Sequence, residues 1–253
     1  MKILTLRAFA DNYIYLLLNE AAQEASVVDP GDAEPVLEYL KSSGRRLTAI
    51  LNTHHHRDHV GGNLRLLQHF PGIPVFGGAG DRKRIPGQTE FLKENDDFVQ
   101  CNACFRVQHV PGHTKAHIAY FVAEGNDIAG DLFSGDTVFG ATIGNLFEGT
   151  PEVMFESIRK IRALPKQTRI WCAHEYTLQY VRESASIDPG NEQRARRLKA
   201  LEEAGPLAGP TVPLRLEEEC ATNPFFRWDD PALTARLGTQ PGLATFRRLC
   251  EIT

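Results

Sequence analysis

The densest chemistry in the chain lies in Thr53-His54-His55-His56-Arg57-Asp58-His59, which holds four metal-type side chains, His54, His56, Asp58 and His59, within six positions. Imidazole nitrogens and carboxylate oxygens are the usual donors to zinc, iron and manganese. A lone histidine in a strand is ordinarily a core or surface residue, but this many imidazoles beside a carboxylate in a confined turn need a cation to satisfy them. If the apolar run 47–53 is a strand, alternation places His54 and His56 on one face and His55 on the other, which makes His55 a bystander. Asp58 and His59 then project from the following turn toward a second point, and Gly61-Gly62 permits a tight approach.

Three further segments supply what such a site lacks: Val110-Pro111-Gly112-His113-Thr114, Phe133-Ser134-Gly135-Asp136-Thr137 and Cys172-Ala173-His174-Glu175-Tyr176. Each closes a predicted strand, and ligands at strand ends on one sheet edge can meet in space. His113 completes a three-histidine set with His54 and His56, His174 joins Asp58 and His59, and Asp136 has two oxygens with which to bridge them. Asp29, in Val28-Asp29-Pro30-Gly31, either orients a ligand histidine through its free ring nitrogen or serves only its turn. Lys115 and His117 are less promising, and His69 and His109 read as structural or exposed.

The elements that must position these residues are short. Apolar runs at 3–6, 14–18 and 25–28, separated by turn signals, predict strands of one sheet; 33–40 and 62–69 carry helical spacing, and 74–76 predicts a further strand. Runs at 105–110, 118–122, 131–133 and 169–173 repeat the pattern, with an amphipathic helix over 151–164 opened by Pro151. Two strand-rich halves with helices following strands predict sheets packed face to face with helices outside. After Tyr176 the texture changes, a charged helix occupies 191–204, few strand signals remain, and a domain boundary is expected there.

Composition narrows the function classes. The 253 residues are 42% hydrophobic and 24% charged, which argues against disorder, and a net charge of -4 argues against a nucleic-acid partner held by a positive field. No apolar run reaches the roughly 20 residues a membrane span needs, and no signal peptide is evident, so the expected address is cytoplasmic. Five cysteines form an odd, sparse set that fits no disulfide framework; Cys101 and Cys104 have zinc-site spacing, but no second pair follows and they read as structural.

The order His-x-His-x-Asp-His, a glycine-preceded histidine, Gly-Asp-Thr and His-Glu-Tyr-Thr resembles the metallo-β-lactamase superfamily. Within it, Phe147-Glu148-Gly149-Thr150, His174-Glu175-Tyr176-Thr177 and Asn223-Pro224-Phe225 resemble hydroxyacylglutathione hydrolase, or glyoxalase II, and the match runs from Asp11-Asn12-Tyr13 nearly to the C-terminus. The resemblance implies an αββα metallo-β-lactamase-like sandwich, the catalytic domain, over residues 1–174 and a small helical substrate-binding domain over 175–253. It also implies hydrolysis of S-D-lactoylglutathione to glutathione and D-lactate in methylglyoxal detoxification, with two divalent metal ions per chain, zinc first and iron or manganese as alternatives; a monomer is expected. Asp58 and Asp136 remove two of the four charges that two such cations bring, leaving a surplus that favours a bound hydroxide. Metal binding lowers the pKa of water from about 16 to near 7, so no serine or cysteine nucleophile is needed.

The resemblance also assigns the thiol half of the substrate, whose two carboxylates the family meets with basic and tyrosine side chains. Tyr176 and Arg247 stand at matching positions. Asn145 and Cys250 stand where cations are usual, Phe147 lacks a hydroxyl sometimes found there, and Arg248 is the nearest replacement. Weak binding of glutathione thioesters with an intact chemical step is therefore expected. The alternatives are a persulfide dioxygenase with one iron, a hydrolase of another thiol's esters, a lactonase, β-lactamase or nuclease of the superfamily, and a metal or thiol sensor without turnover; the complete ligand set counts against the last.

Overall fold

The strand Asn12–Asn19 is buried from Asn12 through Leu18, which demands a packed layer on each side of it. Tyr13, Tyr15 and Leu17 enter one core and Ile14, Leu16 and Leu18 another, the period-two alternation of a strand sandwiched between layers. The structure, a computed structural model, describes residues 1–124, 129–205 and 209–253.

In chain order, β1 (Lys2–Ala8), β2 (Asn12–Asn19), β3 (Glu24–Val28), β4 (Arg46–Leu51), β5 (Val75–Gly78) and β6 (Glu90–Leu92) form the first sheet in that spatial order. The first three pair antiparallel and β3 through β6 pair parallel. Parallel neighbours require crossovers. These are α1 (Glu34–Ser43) between β3 and β4, and α2 (Arg57–Val60) with α3 (Asn63–His69) between β4 and β5. Val36 and Leu40 of α1 and Leu66 of α3 share the outer core with Leu16, Val27 and Ile50.

The second sheet holds β7 (Asp97–Gln100), β8 (Ala103–His109), β9 (Ile118–Glu124) and β10 (Ala129–Gly135). A ribbon of β11 (Val138–Phe139) and β12 (Thr142–Ile143) leaves the end of β10, and α4 (Pro151–Arg162) crosses to β13 (Arg169–Cys172), which runs parallel to β10. Pro151 sits in the first turn of α4, where no amide donor is needed. Tyr13, Tyr15 and Leu17 of β2 meet Phe105, Tyr120 and Phe133 between the sheets, while Met154, Ile158 and Ile161 of α4 pack on the other side of the second. The result is the αββα order of layers.

The region after Cys172 is helical: α5 (Thr177–Ile187), α6 (Glu192–Ala204), α7 (Leu216–Thr222), α8 (Pro231–Leu237) and α9 (Leu243–Ile252). It also contributes β14 (Leu214–Arg215), which pairs with β13 at the sheet edge. Phe225, Phe226, Trp228, Phe246 and Leu249 belong to the same apolar cluster as the second sheet. The buried Arg197–Glu219 pair joins α6 to α7 at 2.6 Å, and Glu219 also accepts the Ala141 N–H of the ribbon at 2.9 Å.

One expected element ends early. β4 stops at Leu51, so His54 and His56 lie in a loop and their convergence does not come from strand alternation.

Candidate metal centre

The loop after β4 is held by its own side chains. Buried Asn52 donates to the His59 carbonyl at 3.0 Å and accepts from Asn63 at 2.8 Å, folding the segment back on itself so that His54 and His59 face one interior. The 30–31 loop presses against it backbone to backbone: a Cβ on Gly31 would fall 1.8 Å from the Asp58 carbonyl oxygen, so only glycine fits. His113, Asp136 and His174 arrive from the loops that follow β8, β10 and β13.

Two groups of ligand atoms result, His54, His56, His113 and Asp136 in one and Asp58, His59 and His174 in the other, each group within 4.8 Å of one another. Asp136 touches both. Its Oδ2 lies 3.3 Å from His113 Nε2, while its Oδ1 lies 3.2 Å from His59 Nε2 and 3.6 Å from His174 Nε2. Asp58 Oδ2 lies 3.4 Å from His59 Nε2 and 3.3 Å from His174 Nε2. His56 presents Nδ1, 3.0 Å from His113 Nε2.

The outward nitrogen of four of these histidines is already engaged, which fixes which nitrogen is free. His113 Nδ1–H donates to the Asn145 carbonyl at 2.8 Å, and His174 Nδ1–H donates to Asp11 Oδ1 at 2.7 Å. His59 Nδ1–H donates to Asp29 Oδ2 at 3.0 Å. His54 Nδ1 meets the Thr53 hydroxyl at 3.1 Å, and that hydroxyl donates to Asp29 Oδ2 at 2.7 Å, so Asp29 holds one histidine of each group. The inward atoms His54 Nε2, His59 Nε2 and Asp136 Oδ1 are buried without a hydrogen-bond partner among the described residues. An unmet buried polar atom costs about 1–3 kcal/mol. Inward ligand atoms that converge from two sides suit a dinuclear metal site, and the donor set fits divalent cations.

Electrostatics divides the two groups. Burial lowers the pKa of His54 and His113 and brings His56 down to about 4, so these rings are neutral and ready to coordinate. Burial pulls His59 and His174 down as well, but Asp136 and Asp29 outweigh it for His59, and Asp136, Asp58 and Asp11 outweigh it for His174, which rises to about 10. Burial would raise Asp58 and Asp136, yet His59 and His174 hold both well below the usual carboxylate range.

Several residues enter the site that the sequence did not single out for it. His117, set aside above, is fully buried with its ring stacked 4.6 Å from that of His54. Asp11, in the β1–β2 turn, holds His174, and Asn12, the first residue of β2, donates to Asp58 Oδ2 at 3.0 Å; in the sequence the two are legible only as a turn signal. His55 is not idle either, since its Nδ1 lies 3.1 Å from the buried Asp81 and its Nε2 touches Arg84, which pairs with Glu148. Lys115 is exposed, Cys101 is buried with its thiol donating to the Leu17 carbonyl at 2.9 Å, and Cys104 is exposed.

Around the ligands, the Tyr176 ring stacks on His174 at 4.9 Å, and Phe147, 66% exposed, stands edge-on over His56 and His113 at 5.6 and 5.2 Å. Beside Asn145 a cavity of about 160 Å³ is lined by Asn145, Tyr180, Cys250 and Thr253 with apolar Ile143 and Phe225, and no side chain lining it is charged. Arg247 is not brought there; it pairs with Glu152 in the first turn of α4, and Arg248 pairs with Glu251. A depression of about 590 Å³ lined by Phe9, Asn12, Arg57 and Asp58 opens on the other side of the centre.

Comparison with known proteins matches the metallo-beta-lactamase superfamily model to residues 12–174 and the model for the hydroxyacylglutathione hydrolase C-terminus to residues 175–252. A hydroxyacylglutathione hydrolase of Synechococcus sp. (strain JA-2-3B'a(2-13)) is 50% identical over 252 residues, covering 98% of this chain and 97% of that protein. Among solved structures, the B3 metallo-beta-lactamase BLEG-1 is 25% identical with a TM-score of 0.64, covering 89% of this chain and 98% of its own. TTHA1623 in a di-iron-bound form is 25% identical with a TM-score of 0.59, covering 89% of this chain and 100% of its own.

Proposed function

Because the chain belongs to the metallo-β-lactamase superfamily and, within it, to the hydroxyacylglutathione hydrolases, we propose that it hydrolyses S-D-lactoylglutathione to glutathione and D-lactate. The observation that carries this reading is Asp136, whose two oxygens face different groups of inward histidine nitrogens. In this reading His54, His56 and His113 would hold one divalent cation and Asp58, His59 and His174 the other, with Asp136 placed to serve both. Divalent cations held there, zinc in the first instance, would supply Lewis-acid chemistry, ionising water near neutral pH and polarising a thioester carbonyl. Asp29, through His59 and through Thr53 to His54, keeps ligand rings of both groups in the coordinating tautomer. Residues 1–174 carry this chemistry and residues 175–253 hold the thiol half of the substrate.

Tyr176 and Phe147 wall the approach to the centre, and Asn145 offers its side chain to the thiol end. Arg247 contributes only after it leaves Glu152. Among the described residues no helix is long and apolar enough to cross a membrane, and we place the enzyme in the cytoplasm as a monomer with no nucleic-acid partner. The test is purified protein with S-D-lactoylglutathione: release of free thiol and D-lactate is expected without oxygen uptake. Oxygen uptake with glutathione persulfide and no thioester turnover would point to a persulfide dioxygenase.

The lack of a cationic side chain in this cavity makes a second prediction. Asn145→Arg adds a cation beside the thiol end, and charge-assisted hydrogen bonds are roughly twice as strong as neutral ones. KM for S-D-lactoylglutathione is expected to fall about tenfold with kcat nearly unchanged, because the new contact is remote from the reacting carbonyl. Steady-state kinetics showing an unchanged KM would remove Asn145 from the thiol contacts.

Loading the centre should also release protons unevenly. With a pKa of about 10, His174 is protonated at pH 7.5 in the metal-free protein, and His59 is raised as well, whereas His54, His56 and His113 are neutral there. A cation on the Asp58 side must displace those protons, so its affinity rises with pH until His174 deprotonates near 10. Calorimetric titration in two buffers of different ionisation enthalpy should report one to about two protons released per chain at pH 7.5. Equal heats in both buffers would contradict the assignment.

A further inference from the structure

His117 lies beneath the candidate centre and lines neither of the cavities described above. Its side chain is fully buried, and its ring lies nearly parallel to that of His54, with centroids 4.6 Å apart and planes 20° apart. His117 Nε2 lies 3.1 Å from the backbone nitrogen of Asp136. A backbone N–H can only donate, so Nε2 carries a lone pair and the ring proton sits on Nδ1, which donates to the Thr137 hydroxyl at 3.3 Å. The chain reaches this contact through Gly135, at φ +50°, where a Cβ would fall 2.8 Å from the His117 ring and 2.4 Å from Thr53 Oγ1. Thr53 is the residue that holds His54 Nδ1. The ring therefore touches the backbone of the bridging carboxylate and the face of a histidine from the other side of the sandwich.

We propose that His117 is a positioning residue that locks the backbone of Asp136 and the ring of His54 into one arrangement, so that the bridging carboxylate meets both ligand groups at once. The inference rests on the metal-site reading above. A histidine that merely fills space would need neither the acceptor aimed at Asp136 nor the donor aimed at Thr137, and a phenyl ring would serve in its place. The neutral ring also leaves the cations' charge to Asp58 and Asp136.

His117→Phe and His117→Gln separate the two roles. Phenylalanine keeps a flat ring under His54 but removes the acceptor for the Asp136 N–H; glutamine removes the stack but puts an amide oxygen near where Nε2 lies. Cation dissociation constants are measured by competition with a chromophoric chelator, alongside kcat, KM and the melting temperature. For His117→Phe the dissociation constants are expected to rise about 10- to 100-fold and kcat to fall by a similar factor, the usual size for a residue that orients ligands. KM should change by less than about twofold, since the ring touches no substrate. His117→Gln should recover part of the cation affinity lost in His117→Phe, the remaining deficit measuring the stack on His54.

A phenylalanine variant that binds both cations as tightly as the unaltered protein, with kcat preserved, overturns the proposal whatever its melting temperature. So does a glutamine variant no better than it. If His117→Phe does not fold, His117→Leu, which also lacks the acceptor, takes its place: cation affinity within about threefold of the unaltered protein overturns the role, and a larger loss that His117→Gln partly recovers supports it. Cation binding is read without substrate, so failure of thioester turnover in the unaltered protein would count against the proposed reaction and leave this result standing.

Discussion

Asp136→Ala is expected to strip both cations from the centre and to lower kcat/KM for S-D-lactoylglutathione on the order of 1,000-fold or more, about 4 kcal/mol of transition-state stabilisation. The reason is the division of its oxygens. Oδ2 faces His113, Oδ1 faces His59 and His174, and no other described carboxylate spans the two groups. Without it, two divalent cations would share the single remaining carboxylate, Asp58, and their mutual repulsion would be offset by little else. His174→Ala should behave differently, since it removes one ligand from the Asp58 side and leaves His54, His56 and His113 intact. Metal analysis after dialysis is the measurement. An Asp136→Ala protein that retained two cations and turned over within about tenfold of the unaltered protein would show that the bridge lies elsewhere.

How much of this was legible in advance depends on whether a signal was local. The apolar run of β2 and the ligand residues closing β8, β10 and β13 were readable because burial on two faces and strand ends leave marks within a few residues. The convergence of His54 and His56 was expected for the wrong reason. It was referred to strand alternation, whereas β4 ends at Leu51 and the turn is set by Asn52 reaching the His59 carbonyl and Asn63, contacts no pattern of hydrophobicity encodes. Asp11 looked like a turn residue because its partner, His174, is remote in sequence. His117 was set aside on the ordinary expectation for a lone histidine, and its contacts with Asp136 and His54 appear only once Gly135 lets the strands approach. β14, two residues long, is too short to show a period, so the C-terminal region read as helical alone although it extends the second sheet. The lack of a cationic side chain beside Asn145 was suspected from the residue types, but the pairing of Arg247 with Glu152 was not.

The second large effect follows from the unmet atoms at the centre of the site. His54 Nε2, His59 Nε2 and Asp136 Oδ1 are buried with no hydrogen-bond partner among the described residues, and the two ligand groups contain no serine or cysteine. Hydrolysis should therefore depend wholly on the cations these atoms hold. The most direct test is to strip the purified protein with a chelator, titrate it with a divalent cation and follow hydrolysis of S-D-lactoylglutathione together with bound metal. Turnover at least about 100-fold lower in the stripped protein, returning as cation is added and levelling off at two per chain, is the predicted result. Full turnover in the stripped protein, or a plateau reached with one cation bound, would contradict a reaction built on two cations bridged by Asp136.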